Sequence, residues 1–183
     1  VIAYSSIAQL GFIVLGIFAF ADNGAQGALL QMLNHGLVGV PLFLIVGVIA
    51  LRARGSESLT ELGGMAFRAP VLAGLFLVVS LATLAMPGSG NFIGEILILF
   101  GTFENKLVYG LVAAVGVVLA AVYMIRLYQG TMHGKAGTAV ASREIDRLNL
   151  GVLAPLVAIV LALGLYPNFV VHRTEQATTG AIA

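Results

Sequence analysis

Residues 80–100 read Ser80-Leu-Ala-Thr-Leu-Ala-Met-Pro-Gly-Ser-Gly-Asn-Phe-Ile-Gly-Glu-Ile-Leu-Ile-Leu-Phe100, an apolar stretch interrupted in its middle and carrying one acid. Upstream the apolar run reaches back to Pro70, and downstream it continues to Phe103. A proline and two glycines within four residues, Pro87 to Gly90, cannot continue a helix. Asn91–Phe103 alone is too short to cross a bilayer, which takes about 20 residues. The stretch is therefore either two short crossings or one discontinuous crossing, and the rest of the chain decides between them.

The solvent comes first. Of 183 residues, 60% are apolar and 9% charged, with a mean hydropathy of +1.04. A soluble domain carries roughly a quarter charged residues to dress its surface. Nine basic and eight acidic side chains cannot do that here, so lipid is the expected solvent and spans are the expected elements. A net charge of +1 argues against nucleic acid as a partner. The absence of cysteine excludes disulfides, Cys-ligated iron–sulfur clusters and thiolate zinc sites. The chain opens Val1-Ile-Ala-Tyr-Ser-Ser6 with neither methionine nor a basic leader, so it does not read as a signal peptide. It enters an apolar helix at once and reads as truncated upstream.

Hydropathy predicts spans at about Ile2–Phe20, Gln26–Leu51, Pro70–Phe103 (broken at Pro87–Gly90), Leu107–Tyr128 and Leu150–Pro167. With the broken run counted as one crossing, Arg52, Arg54, Arg68, Arg126, Lys135, Arg143 and Arg147 share one side, and Lys106 and Arg173 the other. Counted as two crossings, the nine basic residues divide almost evenly. Basic residues gather on the cytoplasmic side, so the expectation is an all-α protein of five crossings, the third discontinuous. The N-terminus is then cytoplasmic and the C-terminus on the far side. Pro41 and Pro155 are expected to be ordinary helix kinks, and Ser142–Arg147 an interfacial turn or short helix.

Unwound backbone at membrane depth occurs where it is buried in protein or lines a wet cavity, and such interruptions point to transport sites. Pro87, Gly88, Gly90 and Asn91 mark this one. Glu95 lies five residues beyond the break in an otherwise apolar run. A carboxylate there costs roughly 3 kcal/mol on insertion scales and is functional by default. Desolvation favours its neutral form while the start of the second half-helix favours the anion, a competition that suits loading and release of a proton. The competing reading is a structural acid that caps the broken backbone or sits near the interface.

His35 falls about mid-span, with Gln31 one turn before it and Asn34 beside it. Residues four apart share a helix face, so the stripe points at a neighbouring helix. Histidine suits a proton shuttle, and equally a packing contact between spans. Haem ligation requires a second histidine at matching depth, whereas His133 and His172 lie in or near polar flanks. In the first span Ser5 and Gln9 share a face and can support a water file or simply a helix contact. Arg126 near a span end reads as a snorkelling side chain. No dinucleotide, phosphate-loop, HExxH or nucleophile-elbow motif occurs. The sequence thus assigns no catalytic, metal or cofactor-binding residue.

Several of these stretches together resemble the antiporter-like membrane subunits of respiratory complex I, the NADH–quinone oxidoreductase. They are Ile2–Phe12, Gln26–Gly36, Glu61–Gly64, Met86–Glu95 and Tyr123–Gln129. The resemblance runs over nearly the whole chain with the motifs in order. It implies a fourteen-helix fold of two inverted five-helix repeats, of which this chain holds the last five helices. Glutamate at position 95, where L- and N-type subunits and sodium/proton antiporter subunits carry lysine, is similar to the M-type branch. On that resemblance Glu95 belongs to the terminal part of a proton route and His35 to a central polar axis, with Ser5, Gln9, Gln31 and Asn34 in support. Gln9 stands where many members have a histidine, so water and Gln9 bridge the relay there. The route's other ionisable residues belong to upstream sequence, and this stretch would not pump alone.

The same resemblance implies a multi-pass protein of a bacterial inner membrane. Its partners are other complex I membrane subunits, lipid, protons and buried water. FMN, iron–sulfur clusters and quinone are expected in other subunits, with none here. The alternatives are a membrane subunit of a related hydrogenase, a cation/proton antiporter, a purely structural membrane segment and a haem-binding electron carrier.

Overall fold

The computed structural model describes residues 1–53, 55, 58, 59, 62–135 and 144–170. Arg54, Glu61, Ser142, Arg143, His172 and Arg173, named above, lie outside the described residues. Six helices follow in order: α1 (Ile2–Ile17), α2 (Asp22–Arg52), α3 (Pro70–Thr83), α4 (Gly90–Asn105), α5 (Leu107–Met132) and α6 (Arg147–Leu165), with a short 3-10 helix at Met65–Phe67. The described residues are all-helical. α2, α5 and α6 are each long and apolar enough to cross a membrane, while α1 and α3 are shorter apolar helices.

Several helix ends fall away from the hydropathy boundaries. α2 starts at Asp22 rather than Gln26, α5 runs past Tyr128 to Met132, and α6 starts at Arg147 rather than Leu150. Hydropathy marks where a helix meets lipid, whereas hydrogen bonding carries it on into polar residues. Asp22 in the first turn of α2 also suits the positive end of the helix dipole. Pro41 and Pro155 both lie inside continuous helices.

The break is longer than the Pro87–Gly90 tetrapeptide and has its own architecture. α3 stops at Thr83, four residues before the proline. Ala85 adopts a left-handed φ of 55°. Its N–H donates to the Ala82 carbonyl at 3.2 Å, and the Met86 N–H donates to the Leu81 carbonyl at 3.1 Å. This pair of bonds is a Schellman cap, a geometry in which glycine normally takes the left-handed position. After Gly88, at φ 94°, Ser89 restarts the helix, its Oγ accepting from the Phe92 N–H at 3.3 Å. One helix is closed and the next opened by separate caps, so the interruption leaves few orphaned backbone groups.

The two half-helices pack differently. α3 sits in an apolar core with α2, α5 and α6, built from Leu72, Phe76, Val79, Ile45, Ile49, Met124, Leu153 and Val157. Phe76 packs on Tyr128 with ring centroids 5.5 Å apart. Glu144 caps the start of α3, accepting from the Val71 and Leu72 N–H groups at 3.2 and 3.3 Å. α4 instead meets α1 and α2 across glycines. A Cβ on Gly27 would lie 2.7 Å from Ile98 N and 2.8 Å from Gly94 O, and one on Gly101 would lie 2.7 Å from Gly24 Cα. Small residues allow this close approach of helices where lipid supplies no hydrophobic drive.

The α4–α5 corner clasps the α1–α2 turn. Lys106 Nζ donates to the Phe18 carbonyl at 3.2 Å and lies 5.3 Å from the Phe20 ring centroid. Asn105 Nδ2 donates to the Ala19 carbonyl at 3.1 Å, and Asn23 Nδ2 to Glu104 Oε1 at 2.9 Å. α5 turns Val108, Leu111, Val112, Val115, Val118 and Leu119 outward.

Candidate functional site

The glycine interface between α2 and α4 determines which polar groups meet. Gly94 leaves the space into which Gln31 of α2 inserts, since a Cβ there would run into Gln31 Oε1. One turn earlier a Cβ on Gly90 would sit 2.5 Å from Asn34 Oδ1. Gln31 and Asn34, three apart on α2, therefore face α4. His35, half-buried, stands at the edge of that stripe rather than in it. The expected pairing of Gln31 with His35 on one inward face is thus replaced by Gln31 with Asn34.

From Gln31 a hydrogen-bonded chain crosses three helices. Gln31 Nε2 donates to Gln9 Oε1 at 2.7 Å, and Gln9 Nε2 donates to Glu95 Oε1 at 2.9 Å. The three residues are 0%, 4% and 5% exposed. A buried carboxylate without a partner is strongly unfavourable, and here it receives an amide N–H on a sequence partner 86 positions away. Ser5 lies one turn before Gln9 on α1 and donates its only proton to the Ile2 carbonyl at 2.7 Å. Tyr123 of α5 comes up beside this Ser5 hydroxyl. Tyr123 is also close enough to Glu95 to feel its charge.

Tyr123 was the group that sequence reasoning missed as part of the site. It stands in an apolar span, and an isolated phenol at depth calls for a partner, but nothing in the local pattern identifies Ser5. Asn91 lies one turn before Glu95, 1% exposed. Both of its amide atoms, together with Gln31 Oε1 and Ser80 Oγ, are buried without a hydrogen-bond partner among the described residues. Each such group costs about 1–3 kcal/mol, so the site holds unspent hydrogen-bonding capacity. Gly90 and Asn91 lie in the first turn of α4, while Pro87 and Gly88 are exposed on the preceding turn. Between Asn34, Gly90, Ile93 and Leu163 is a cavity of about 10 Å³, the room one water requires. A far larger depression of about 550 Å³ lies at the other end of α2, beside Arg52, Glu144 and Arg147, away from the buried acid. Among the described residues no three His, Asp or Glu side chains are grouped to hold a metal.

Residues 1–122 match the family described as NADH:quinone oxidoreductase/Mrp antiporter, TM. The chain belongs to this family. Among its relatives in the quinone oxidoreductase/Mrp antiporter group is NADH-quinone oxidoreductase subunit M of Mycobacterium tuberculosis (strain ATCC 25618 / H37Rv). It is 46% identical over 182 residues, which cover 96% of this chain and 32% of the relative. Subunit M of Rickettsia typhi is 40% identical over 173 residues, covering 93% of this chain and 35% of the relative. The chain thus spans about a third of the length of the curated relatives it matches. A chain of respiratory complex I from Thermus thermophilus superposes with a TM-score of 0.89 at 27% identity, covering 100% of this chain and 39% of that one. A chain of the Mrp complex from Dietzia sp. DQ12-45-1b shares the fold, with a TM-score of 0.85 at 20% identity, covering 97% and 41%. The resemblance read from the motifs is therefore shown, as is an antiporter-like, all-helical membrane subunit.

Proposed function

We propose that this chain forms part of a proton-translocating, M-type membrane subunit of an NADH–quinone oxidoreductase, and that Glu95 relays protons within it. The observation that carries the reading is the buried chain from Gln31 through Gln9 to Glu95, one turn beyond a capped break. The Gln9 amide already faces that carboxyl, so a proton gained or lost there is answered by a local change in hydrogen bonding. α3, the break and α4 make one discontinuous crossing, giving five in all with α1, α2, α5 and α6. The Arg52 end of α2 is cytoplasmic and the Lys106 corner lies on the opposite side. On this reading the five crossings are the second of two inverted repeats in a bacterial inner membrane. NADH oxidation and quinone reduction occur in other subunits of the complex, which hold FMN and iron–sulfur clusters. His35 adjoins the polar axis from α2, and Ser5, Gln9, Gln31 and Asn34 line it.

The test is Glu95→Gln in the full-length subunit within the assembled complex, reading protons moved per electron. The ratio is expected to fall while NADH oxidation by an artificial acceptor persists. A wild-type ratio removes Glu95 from the relay. A cation/proton antiporter is the second reading, since the family description includes Mrp antiporters. Sodium-dependent transport by the full-length protein without NADH would favour it.

A further inference from the structure

The amide chain at Glu95 has a direction. Gln31 Nε2 donates to Gln9 Oε1 and Gln9 Nε2 donates to Glu95 Oε1, so every donor points toward the acid. That polarity suits a carboxylate, which only accepts. It also leaves the far acceptor, Gln31 Oε1, buried without a partner among the described residues. An amide's oxygen and nitrogen are nearly the same size, and a half-turn of the group exchanges donor for acceptor without changing its shape.

We infer that Gln9 and Gln31 are positioning residues whose amides turn over when Glu95 takes up a proton. The inference rests on the relay reading of Glu95. A proton arriving on the facing carboxylate oxygen places an O–H against an N–H, two donors in contact. Turning Gln9 presents its Oε1 to the new O–H and its Nε2 to Gln31. Gln31 turns with it, so that its Oε1 accepts that N–H and its Nε2 takes the far position that Oε1 held. The proton remains on Glu95 throughout, since a neutral amide neither takes nor gives one at ordinary pH. What crosses from α4 through α1 to α2 is a reversal of hydrogen-bond polarity.

The surroundings fit such a turn. Gln9 and Gln31 sit where α1, α2 and α4 meet, and Gly94, lacking a Cβ, leaves the room that the Gln31 amide fills in either orientation. The ionisable groups that face this cluster from the elements packed against α4 are few. α5 brings Tyr123 near Glu95, and α2 carries His35 one turn beyond Gln31. Tyr109 and Arg126 of α5 and Asp22 of α2 are exposed, Arg52 ends α2 and Tyr128 packs on Phe76. α1 carries only Tyr4, which is exposed. α3 has no ionisable side chain, and α6 has only the terminal Arg147. The state of the Gln31 amide is thus set from the Glu95 side, and its position on α2 carries that state to within one turn of His35.

The experiment is infrared difference spectroscopy of the assembled complex between high and low pH, with glutamine labelled at its side-chain carbonyl. A carboxyl band and a label-sensitive amide band are expected to titrate with one midpoint, both absent in Glu95→Gln. In Gln9→Met the carboxyl band remains and the amide band is lost. If Gln9→Met fails to assemble, Gln31→Met serves instead and removes only the Gln31 share of the amide band. A Glu95 carboxyl band without any amide response overturns this inference and leaves the relay intact. No titrating carboxyl band from Glu95 overturns both.

Discussion

α3 and α4 are two halves of one interrupted apolar run, yet they are held by different physics. α3 is buried among large side chains, with Phe76, Leu72 and Val79 fully enclosed. α4 is buried against backbone, through Gly94 and Gly101 opposite Gly24 and Gly27, and carries the buried acid. In lipid, enclosing a hydrocarbon side chain gains packing but little transfer energy, because the tails outside are equally apolar. Close backbone approach lets short polar side chains reach across, and a carboxyl at depth requires that reach. The capped interruption separates a half that packs from a half that carries the buried acid.

Substitutions can break this contrast or sharpen it. The largest effect is expected at Gly101→Ala, where the new methyl meets Gly24 backbone that cannot swing aside. Overpacking of this kind costs about 3 kcal/mol, read as loss of thermal stability in detergent and lower yield of assembled complex. A neutral result would dissolve the distinction between the halves. Phe76→Ala follows, at about 2 kcal/mol from the cavity alone. Complexes that assemble should still move protons at the normal ratio to electrons, since α3 supplies volume rather than chemistry. Ala85→Gly relieves the left-handed strain of the cap and is expected to stabilise by about 1 kcal/mol, seen as a higher unfolding temperature. Gly74→Ala is the control for Gly101, with nothing within 4 Å of its Cβ. It should be neutral or raise stability by under about 1 kcal/mol through helix propensity.

The smallest effect concerns pH at the head of α3. Partial burial alone would raise the Glu144 carboxyl. The Ile145, Val71 and Leu72 N–H groups and the Arg52 cation outweigh it and hold the group below its ordinary 4.5. A carboxyl depressed in the folded state stabilises fully above its unfolded value and loses that contribution as pH falls through the folded value. The unfolding temperature of the wild type should therefore drop more steeply than that of Glu144→Gln below about pH 4. Parallel curves would mean that the cap contributes nothing.

Much of this was legible from the residues. The apolar composition, the Pro-Gly-Ser-Gly interruption and an acid within an apolar run are local features, and local features survive in a linear string. The cap was only half legible. Pro87 announced a stop, but Ala85 closes the helix in a conformation that its identity disfavours, so the turn begins earlier than the proline suggests. The resemblance put Gln9 in the relay, but its direct hydrogen bond to Glu95 was not legible from the residues. It joins helices far apart in sequence, and the glycine faces that bring them together follow a spacing that reads equally well as weak helix. His35 shows the converse. Its i,i+4 relation to Gln31 was real, but a face is wide, and Gly90 and Gly94 draw in Gln31 and Asn34 and leave the histidine at the rim.

Gly164 near the end of α6 lies so close to the break that a Cβ there would strike the Gly88 carbonyl and sit 3.1 Å from Ser89 Cα. The last helix therefore bears on the joint itself as well as on both half-helices. A side chain at position 164 has room only if the turn at 88–89 is redrawn, and a redrawn turn alters the start of the helix that holds Glu95. For evolution and for engineering alike, residue 164 and the turn are one site: neither can be exchanged between relatives without the other.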